Sequence, residues 1–307
     1  MKEKILHLLR NRAGETISGE DLSERIGVSR VSVWKHIRKL QELGYAITSS
    51  ANGYTLTAET DALFPWEFPG REARIHHAAQ AASTMDMARA LARKGWPDRG
   101  VVIAETQAQG RGRLRRPWDS APGGLYFTLI LRPLIPAFLS YRLNFSASLA
   151  LAQTLEALYG IDARVKWPND ILVDGKKLSG MLSELEAEGD LVTFVNIGIG
   201  INVNNDPTVR EPGATSIARL LGHRVNRRDL LAAFLDRFEA GLEADDLDGV
   251  VARWKPYSIT LNRHVKIVTG RETTEGIARD VDANGALLVE TADGSVKTVI
   301  YGDCFHV

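Results

Sequence analysis

The chain has 307 residues, 44% of them hydrophobic and 25% charged, a composition typical of globular proteins with two or three domains. Its 38 basic and 38 acidic residues cancel, which excludes a polycation and leaves only a local basic patch for contact with nucleic acid. A single cysteine, Cys304, the lack of a membrane-length apolar run (Leu125–Leu131 is too short) and the lack of a signal peptide predict a cytoplasmic protein.

Residues 1–60 are predicted to form three short helices and a hairpin. Apolar residues at helical spacing predict a first helix that ends at Gly14, a second that begins after Ser18 and a third that begins after Ser29. Asn52-Gly53 then predicts a tight turn between two strands. This order of elements is typical of a winged helix-turn-helix domain.

The third of these helices carries most of the basic residues in this segment, and its N-terminal half is the part that usually enters the major groove. Lysine and arginine along the same helix can hold phosphates. The predicted DNA-contacting residues are Ser29, Arg30, Ser32, Lys35, Arg38 and Lys39. Trp34 is expected to pack in the core. The alternative is a helical module whose solvated basic face contacts another protein.

The segment 71–255 follows a predicted linker, Ala58–Arg71, which lacks helical or strand periodicity. Helices and strands interleave in it without strict alternation, which favours an α+β fold with a mixed sheet. Predicted strands are Val101–Thr106, Leu125–Leu131, Val165–Trp167, Leu178–Glu186 and Thr193–Val203. Predicted helices are one that begins at Ser83 or Thr84, an apolar one over Phe145–Tyr159, and one capped by Asn226.

The loop Gly110–Trp118 reads Gly-Arg-Gly-Arg-Leu-Arg-Arg-Pro-Trp. Glycine lets backbone amides approach an anion closely, and arginine forks match phosphate or carboxylate oxygens. The loop therefore predicts an anion site. A solvated basic loop or a nucleic-acid-binding patch remains the alternative.

A second cluster, Lys166–Asp170, reads Lys-Trp-Pro-Asn-Asp and lies where its proline must stop a strand. Lysine, asparagine and aspartate together offer a counter-charge for phosphate, an amide and a magnesium ligand. Lys177 and Gly180 follow at the start of the next strand. Each lysine alone could be an ordinary surface charge, but with the arginine loop they predict a site for a triphosphate and a carboxylate. Gly198 and Gly200, inside a strand, predict close approach of a ligand or of backbone.

The last segment, 256–307, contains several short strands of alternating apolar and polar residues. They are Val265–Val268, Thr274–Val281, Ala286–Thr291 and Ser295–Ile300. This pattern predicts a small barrel of the SH3-like type. No nucleophile motif surrounds Cys304, and no metal-ligand spacing surrounds His76 and His77.

In order and spacing, four motifs resemble those of the biotin–protein ligases that also act as biotin operon repressors. These motifs are Gly110–Arg113, Lys166–Asp170, Lys177–Gly180 and Gly200–Asn202. The resemblance covers nearly the whole chain. It implies a winged helix-turn-helix domain at 1–60, a ligase catalytic domain at 71–255 and an SH3-like C-terminal domain at 256–307.

The resemblance also implies a reaction and its partners. Biotin and ATP, with Mg²⁺, would give biotinyl-5′-AMP, and the biotinyl group would pass to a lysine of a carboxyl-carrier protein. A homodimer bound to biotinyl-5′-AMP would repress biotin synthesis genes at operator DNA. No membrane contact is implied.

The implied site residues fall into four overlapping groups. Those implied for catalysis are Arg111, Arg113, Arg116, Lys166, Asp170 and Lys177. Those implied for biotin are Ser83, Thr84, Met85, Gln107, Gly110, Arg111, Gly112, Arg113, Lys177 and Gly180. Those implied for ATP are Arg113, Arg116, Trp118, Lys166, Asn169 and Asn202, and those implied for magnesium are Asp170 and Asn202.

The chain departs from the family pattern at two places. Met85 stands where the family usually has asparagine, and the loop continues with Leu114-Arg115-Arg116 where a further Arg-Gly-Arg is common. Two other functions fit parts of the pattern. One is a lipoate–protein ligase, and the other is a non-enzymatic repressor that senses a small carboxylate.

Overall fold

The computed structural model describes residues 1–244, 247–270 and 272–307, without the side chain of Arg115. The chain divides into two units, Met1–Ala73 and Arg74–Val307, each with its own internal packing. Within the described ranges, every helix is too short or too polar to cross a membrane.

Three helices and a hairpin form most of the first unit. In chain order they are α1 (Lys2–Arg10), α2 (Gly19–Ile26), α3 (Arg30–Glu42), β1 (Ala46–Ser50) and β2 (Gly53–Ala58). The two predicted caps are confirmed, since Ser18 Oγ accepts a hydrogen bond from the backbone N–H of Asp21 and Ser29 Oγ from that of Ser32. β1 and β2 pair antiparallel. The order of elements is that of a winged helix-turn-helix domain, as predicted.

Two expectations for this unit are wrong. α1 ends at Arg10, ahead of the turn that contains Gly14. The predicted linker includes a 3-10 helix, Pro65–Glu67, and the side chains of Phe64 and Trp66 pack against the apolar core of the unit. Aromatic residues in a segment without periodicity gave no sign of this packing from sequence alone.

Glu67 joins this segment to α1 through a buried ion pair. Its side chain is 0% exposed, lies 2.8 Å from a guanidinium nitrogen of Arg10, and accepts a hydrogen bond from the hydroxyl of Tyr45. We expect Glu67→Gln to destabilise the first unit by about 3 kcal/mol, because it leaves a guanidinium without its buried counter-charge. Amide exchange in α1–α3 of the intact chain should accelerate by roughly 100-fold.

Glu59→Gln is the matched control for this prediction. Glu59 also pairs with Arg10, at 3.2 Å, but its side chain is 47% exposed. Its loss should cost less than about 1 kcal/mol. Equal effects of the two substitutions would contradict the role given to the buried pair.

A mixed sheet forms the centre of the second unit. Among the described residues it has seven strands: β3 (Ile75–Ala81), β4 (Gly100–Gln107), β5 (Leu125–Leu131), β6 (Arg164–Lys166), β7 (Asp170–Val173), β8 (Lys176–Glu188) and β9 (Leu191–Ile201). Their order is β3-β4-β5-β9-β8-β7-β6, with β3 and β4 parallel and the other neighbours antiparallel. The α+β prediction is therefore confirmed.

Five α-helices accompany this sheet in the described part of the unit. They are α4 (Thr84–Arg93), α5 (Tyr141–Tyr159), α6 (Ile217–Leu221), α7 (Arg227–Glu243) and α8 (Val250–Trp254). α5 is buried along most of its length and packs against α7 and α8, which explains its apolar sequence. The edge strand β3, the short β7 and the short helices α6 and α8 were not predicted, because edge and short elements carry too few apolar residues for a clear period.

The C-terminal strands form an antiparallel sheet that belongs to the second unit. Its strands are β10 (His264–Val268), β11 (Thr273–Val281), β12 (Leu287–Glu290), β13 (Val296–Val299) and β14 (Asp303–His306), in the order β13-β12-β11-β10-β14. The indole N–H of Trp167 donates a 3.0 Å hydrogen bond to the carbonyl of Gly285. Gly285 has φ +76°, and a Cβ there would lie 2.5 Å from the ring of Tyr141. Only glycine fits this contact.

Candidate functional site

One cavity of about 700 Å³ gathers every residue that the sequence motifs predicted for biotin, ATP, magnesium and catalysis. They are Ser83, Thr84, Met85, Gln107, Gly110, Arg111, Gly112, Arg113, Arg116, Trp118, Lys166, Asn169, Asp170, Lys177, Gly180 and Asn202. They come from the start of α4, the end of β4, the arginine loop, the β6–β7 turn, the start of β8 and the residue after β9. Residues far apart in sequence thus form one site.

The cavity wall also contains residues that sequence reasoning missed. Those after β9 are Pro207, Arg210, Glu211 and Ala214, and those of β14 are Asp303, Cys304 and Phe305. Neither group belongs to a motif or a periodic pattern. Only tertiary folding brings them to the site, so no local pattern could have identified them.

At one part of the cavity, a chain of hydrogen bonds fixes the amide of Gln107. Its Oε1 accepts from the backbone N–H of Thr84 at 2.8 Å and from the Thr84 hydroxyl at 3.1 Å. Its Nε2 donates to Ser120 Oγ at 2.9 Å, and Thr128 in turn donates to the Thr84 hydroxyl at 2.9 Å. The second Nε2 hydrogen is left to donate to a ligand carbonyl.

Glycines on β8 and β9 form a part of the cavity wall that has no side chains of its own, next to this network. Gly180 and Gly200 are register partners, and Trp118 covers both: a Cβ on Gly200 would lie 2.4 Å from Trp118 Nε1. A Cβ on Gly198 would lie 2.7 Å from the sulfur of Met85. The groups that approach these glycines most closely are side chains of the same chain, whereas the sequence predicted a ligand or backbone. Met85, at the family's asparagine position, is a buried apolar part of the wall.

Lys177 and Asp170 form an ion pair on the cavity surface. Lys177 Nζ lies 2.8 and 2.9 Å from the two carboxylate oxygens of Asp170 and 5.5 Å from the centre of the Trp118 ring. Their strands, β7 and β8, are neighbours in the sheet. A ligand carboxylate or phosphate could take the place of the Asp170 oxygens on this ammonium.

Each of the three predicted arginines has partners within the second unit. Arg111 pairs with Asp86 at 2.8 Å and with Glu184 at 3.2 Å. Arg113 donates to Asn169 Oδ1 at 3.2 Å and to the carbonyl of Gly302 at 3.0 Å, and Arg116 pairs with Asp303. The arginine loop is thus anchored at one end to α4 and β8 and at the other to the C-terminal segment.

Lys166 is a cavity cation with no ion-pair partner among the residues described.

Burial, together with the charges of Lys166 and Arg263, lowers the pKa of His306 to about 4. Burial also raises the pKa of the Cys304 thiol to about 11, so this thiol is protonated at neutral pH. The wall therefore offers cations for an anionic substrate and no thiolate nucleophile.

The low pKa of His306 makes stability depend on pH. The unfolded chain takes up this proton near pH 6.5, but the folded chain does so only near pH 4. Stability should therefore fall as pH falls from about 6.5 to about 4, with a slope from this group below about 1.4 kcal/mol per pH unit. Urea unfolding of the intact chain across this range should show a smaller slope for His306→Gln. A slope that His306→Gln leaves unchanged would contradict the role given to this imidazole.

The predicted DNA-contacting residues lie on the solvent-facing side of α3. Arg30, Lys35, Arg38 and Lys39 are exposed, Ser32 is half-buried, and the exposed Ser29 caps the helix. The prediction that Trp34 packs in the core is wrong, since 49% of it is exposed. The guanidinium of Arg38 lies 5.6 Å from the centre of its ring.

Models of three known families match the chain in separate segments. The Biotin/lipoate A/B protein ligase family matches residues 78–202, an HTH domain matches 2–55, and the biotin protein ligase C-terminal domain matches 260–307. The bifunctional ligase/repressor BirA of Bacillus spizizenii is 34% identical over 97% of this chain and 96% of its own length. The BirA of Escherichia coli is 32% identical over 98% and 95%.

This chain belongs to the biotin–protein ligase family.

Solved structures of the family share its fold. The biotin protein ligase of Aquifex aeolicus, in complex with biotin and ATP, is 26% identical and matches with a TM-score of 0.66 over 76% of this chain and 99% of its own. The four motifs that carry the resemblance, Gly110–Arg113, Lys166–Asp170, Lys177–Gly180 and Gly200–Asn202, all contribute residues to this one cavity.

Proposed function

We propose that this chain joins biotin to ATP, forming biotinyl-5′-AMP and pyrophosphate, and then transfers the biotinyl group to a lysine of a carboxyl-carrier protein. The observation that carries the proposal is the composition of one cavity. Its Gln107 amide is held in place and can bind the neutral ring of biotin, and its cations can bind phosphate. The cations are Arg111, Arg113, Arg116, Lys166, Lys177 and Arg210. The identity of the substrates, biotin and ATP, is inferred from membership of the family.

The first step joins two anions. The biotin carboxylate attacks the α-phosphorus of ATP, an O–P bond forms, and pyrophosphate leaves with the electron pair of the broken P–O bond. Such a step needs positioning and positive charge more than a nucleophilic side chain. Lys177 would bind the carboxylate and the bridging phosphate oxygen, and Lys166 would bind the ATP phosphates. The protonated Cys304 takes no part as a nucleophile.

Asp170 and Asn202 would hold magnesium at this site together with the phosphates of the substrate. The described residues contain no group of three or more His, Cys, Asp or Glu that could hold a metal alone. Asp170 offers a carboxylate and Asn202 an amide oxygen, a small donor set of the kind that Mg²⁺ uses together with substrate phosphates. When bound, the ion would neutralise phosphate charge. Asp170 would then bind the metal ion in place of the Lys177 ammonium.

The second step is attack by a lysine amine on the anhydride carbonyl of biotinyl-5′-AMP, with release of AMP. Water competes for the same carbonyl. The arginine loop would cover the anhydride, with Arg111 and Arg113 over the phosphate and Arg116 near it. Because all three arginines already have protein partners, ligand binding would exchange these contacts for phosphate oxygens.

ATP–pyrophosphate exchange with Mg²⁺ tests the enzyme activity, with biotin, lipoate and no acid compared. Exchange that requires biotin is the expected result. Exchange with lipoate alone would assign the chain to a lipoate–protein ligase activity. No exchange with either acid would favour a repressor that only senses a carboxylate.

We propose for the first unit a repressor function at operator DNA, in the cytoplasm, carried out by a homodimer bound to biotinyl-5′-AMP. The exposed basic side of α3 supports DNA contact, since phosphate binding needs exposed cations. Two-fold pairing would place two such helices on an inverted repeat. Gel shifts on the operator should require biotin and ATP, and sedimentation should show a dimer under the same conditions.

A further inference from the structure

α3 carries apolar residues both on its buried side and outside it. Val33, Ile37 and Leu40 are fully buried in the core of the first unit. Val31 and Trp34 lie outside that buried side, 62% and 49% exposed. The fold does not need this second apolar group, because the buried side already provides the packing of α3.

Val31 and Trp34 form one patch, since residues three apart are neighbours on a helix surface. The exposed cations Arg30, Lys35 and Arg38 lie around this patch, and Arg38 contacts the Trp34 ring. Cations at the margin and apolar groups at the centre suit a surface that holds phosphates at its edges and meets base edges at its middle. We name Val31 and Trp34 the apolar patch.

The floor of the major groove presents one prominent apolar group, the C5-methyl of thymine. We propose that the apolar patch contacts thymine methyl groups and so makes the first unit select A·T pairs at fixed positions of its half-site. This inference rests on the DNA-binding part of the proposed function. A protein partner would have to bind this patch beside the cations that surround it. Those cations favour a polyanion such as DNA over a protein surface.

The test starts with random-sequence duplexes long enough for two half-sites, selected by the intact chain in the presence of biotin, ATP and Mg²⁺. The enriched duplex is then made with deoxyuridine in place of thymidine, one position at a time, which removes only a methyl group. We expect one position per half-site at which this change weakens binding by about 4-fold, the value of one buried methyl group. The protein is unaltered in this comparison, so misfolding cannot explain the result.

Variants then locate the contact on the protein. For Trp34→Ala or Val31→Ser, the ratio of affinities for the thymine and uracil duplexes should fall to about 1. Lys35→Met is the matched control on the same helix. It should weaken binding to both duplexes equally, keep the ratio near 4 and reduce the salt slope by about one.

Each other outcome overturns the inference in a distinguishable way. If a duplex is enriched but its affinity does not change when uracil replaces thymine, the first unit binds DNA without recognising methyl groups. A ratio that stays near 4 in both patch variants assigns the methyl contact to another element. Failure to enrich any duplex overturns the DNA-binding function itself, and this inference with it.

Discussion

Lys177→Met should reduce biotin-dependent ATP–pyrophosphate exchange by about 100- to 1,000-fold, the usual cost of losing a group that stabilises developing charge. The substitution removes the ammonium that faces Asp170 in the cavity. In the proposed reaction this ammonium binds the carboxylate and the phosphate that react, so its loss acts directly on the reacting anions.

The neighbouring residue provides the control for this prediction. Lys176 begins β8 beside Lys177 but is exposed and is not among the residues of the cavity wall. Lys176→Met removes the same charge from the same strand and should change exchange by less than about 2-fold. Exchange within 10-fold of wild type in Lys177→Met would contradict the role given to this ammonium.

Trp167→Ala should destabilise the second unit by about 3–5 kcal/mol, the usual cost of truncating a buried tryptophan. Trp167 is 1% exposed, and its indole donates to the carbonyl of Gly285 in the turn before β12. Its backbone N–H also donates a hydrogen bond to the C-terminal part of the chain, with the hydroxyl oxygen of Thr260 as the acceptor at 3.0 Å. The variant should lose exchange activity as well, because Lys166 and Asn169 flank Trp167 in the site.

Trp167→Phe separates packing from hydrogen bonding in this prediction. It keeps most of the apolar surface and loses the indole N–H, which leaves the Gly285 carbonyl without that donor. We expect a loss of about 1–3 kcal/mol in urea unfolding. A Trp167→Ala variant as stable as Trp167→Phe would show that the ring contributes little to the junction between the two sheets.

The candidate site could be located from the sequence because its residues stand in short motifs whose chemistry is unusual for a core. Four arginines in a loop with two glycines, or glycines such as Gly198 and Gly200 inside a strand, violate the preferences of ordinary elements. The motifs therefore indicated residues that the fold brings together around one cavity. The same argument located the helix caps Ser18 and Ser29, which a local hydrogen bond fixes.

Other parts could not be predicted because they depend on contacts between distant residues. Asp303 reaches the cavity through its pair with Arg116, and no local pattern records that distance in sequence. The burial of Phe64 and Trp66 depends on the core of the first unit, and the exposure of Trp34 on which side of α3 that core uses. A single aromatic residue on a helix fits either side until its neighbours are known.

The division of the chain between Ala73 and Arg74 has a consequence for how such proteins can evolve. Residues 1–73 close a core of their own, and the Aquifex aeolicus enzyme matches 76% of this chain with 99% of its length, a share that the second unit alone would fill. A gene fusion at this boundary could therefore add a DNA-binding domain to an existing ligase in one event. Selection could then change the regulation without altering the catalytic domain.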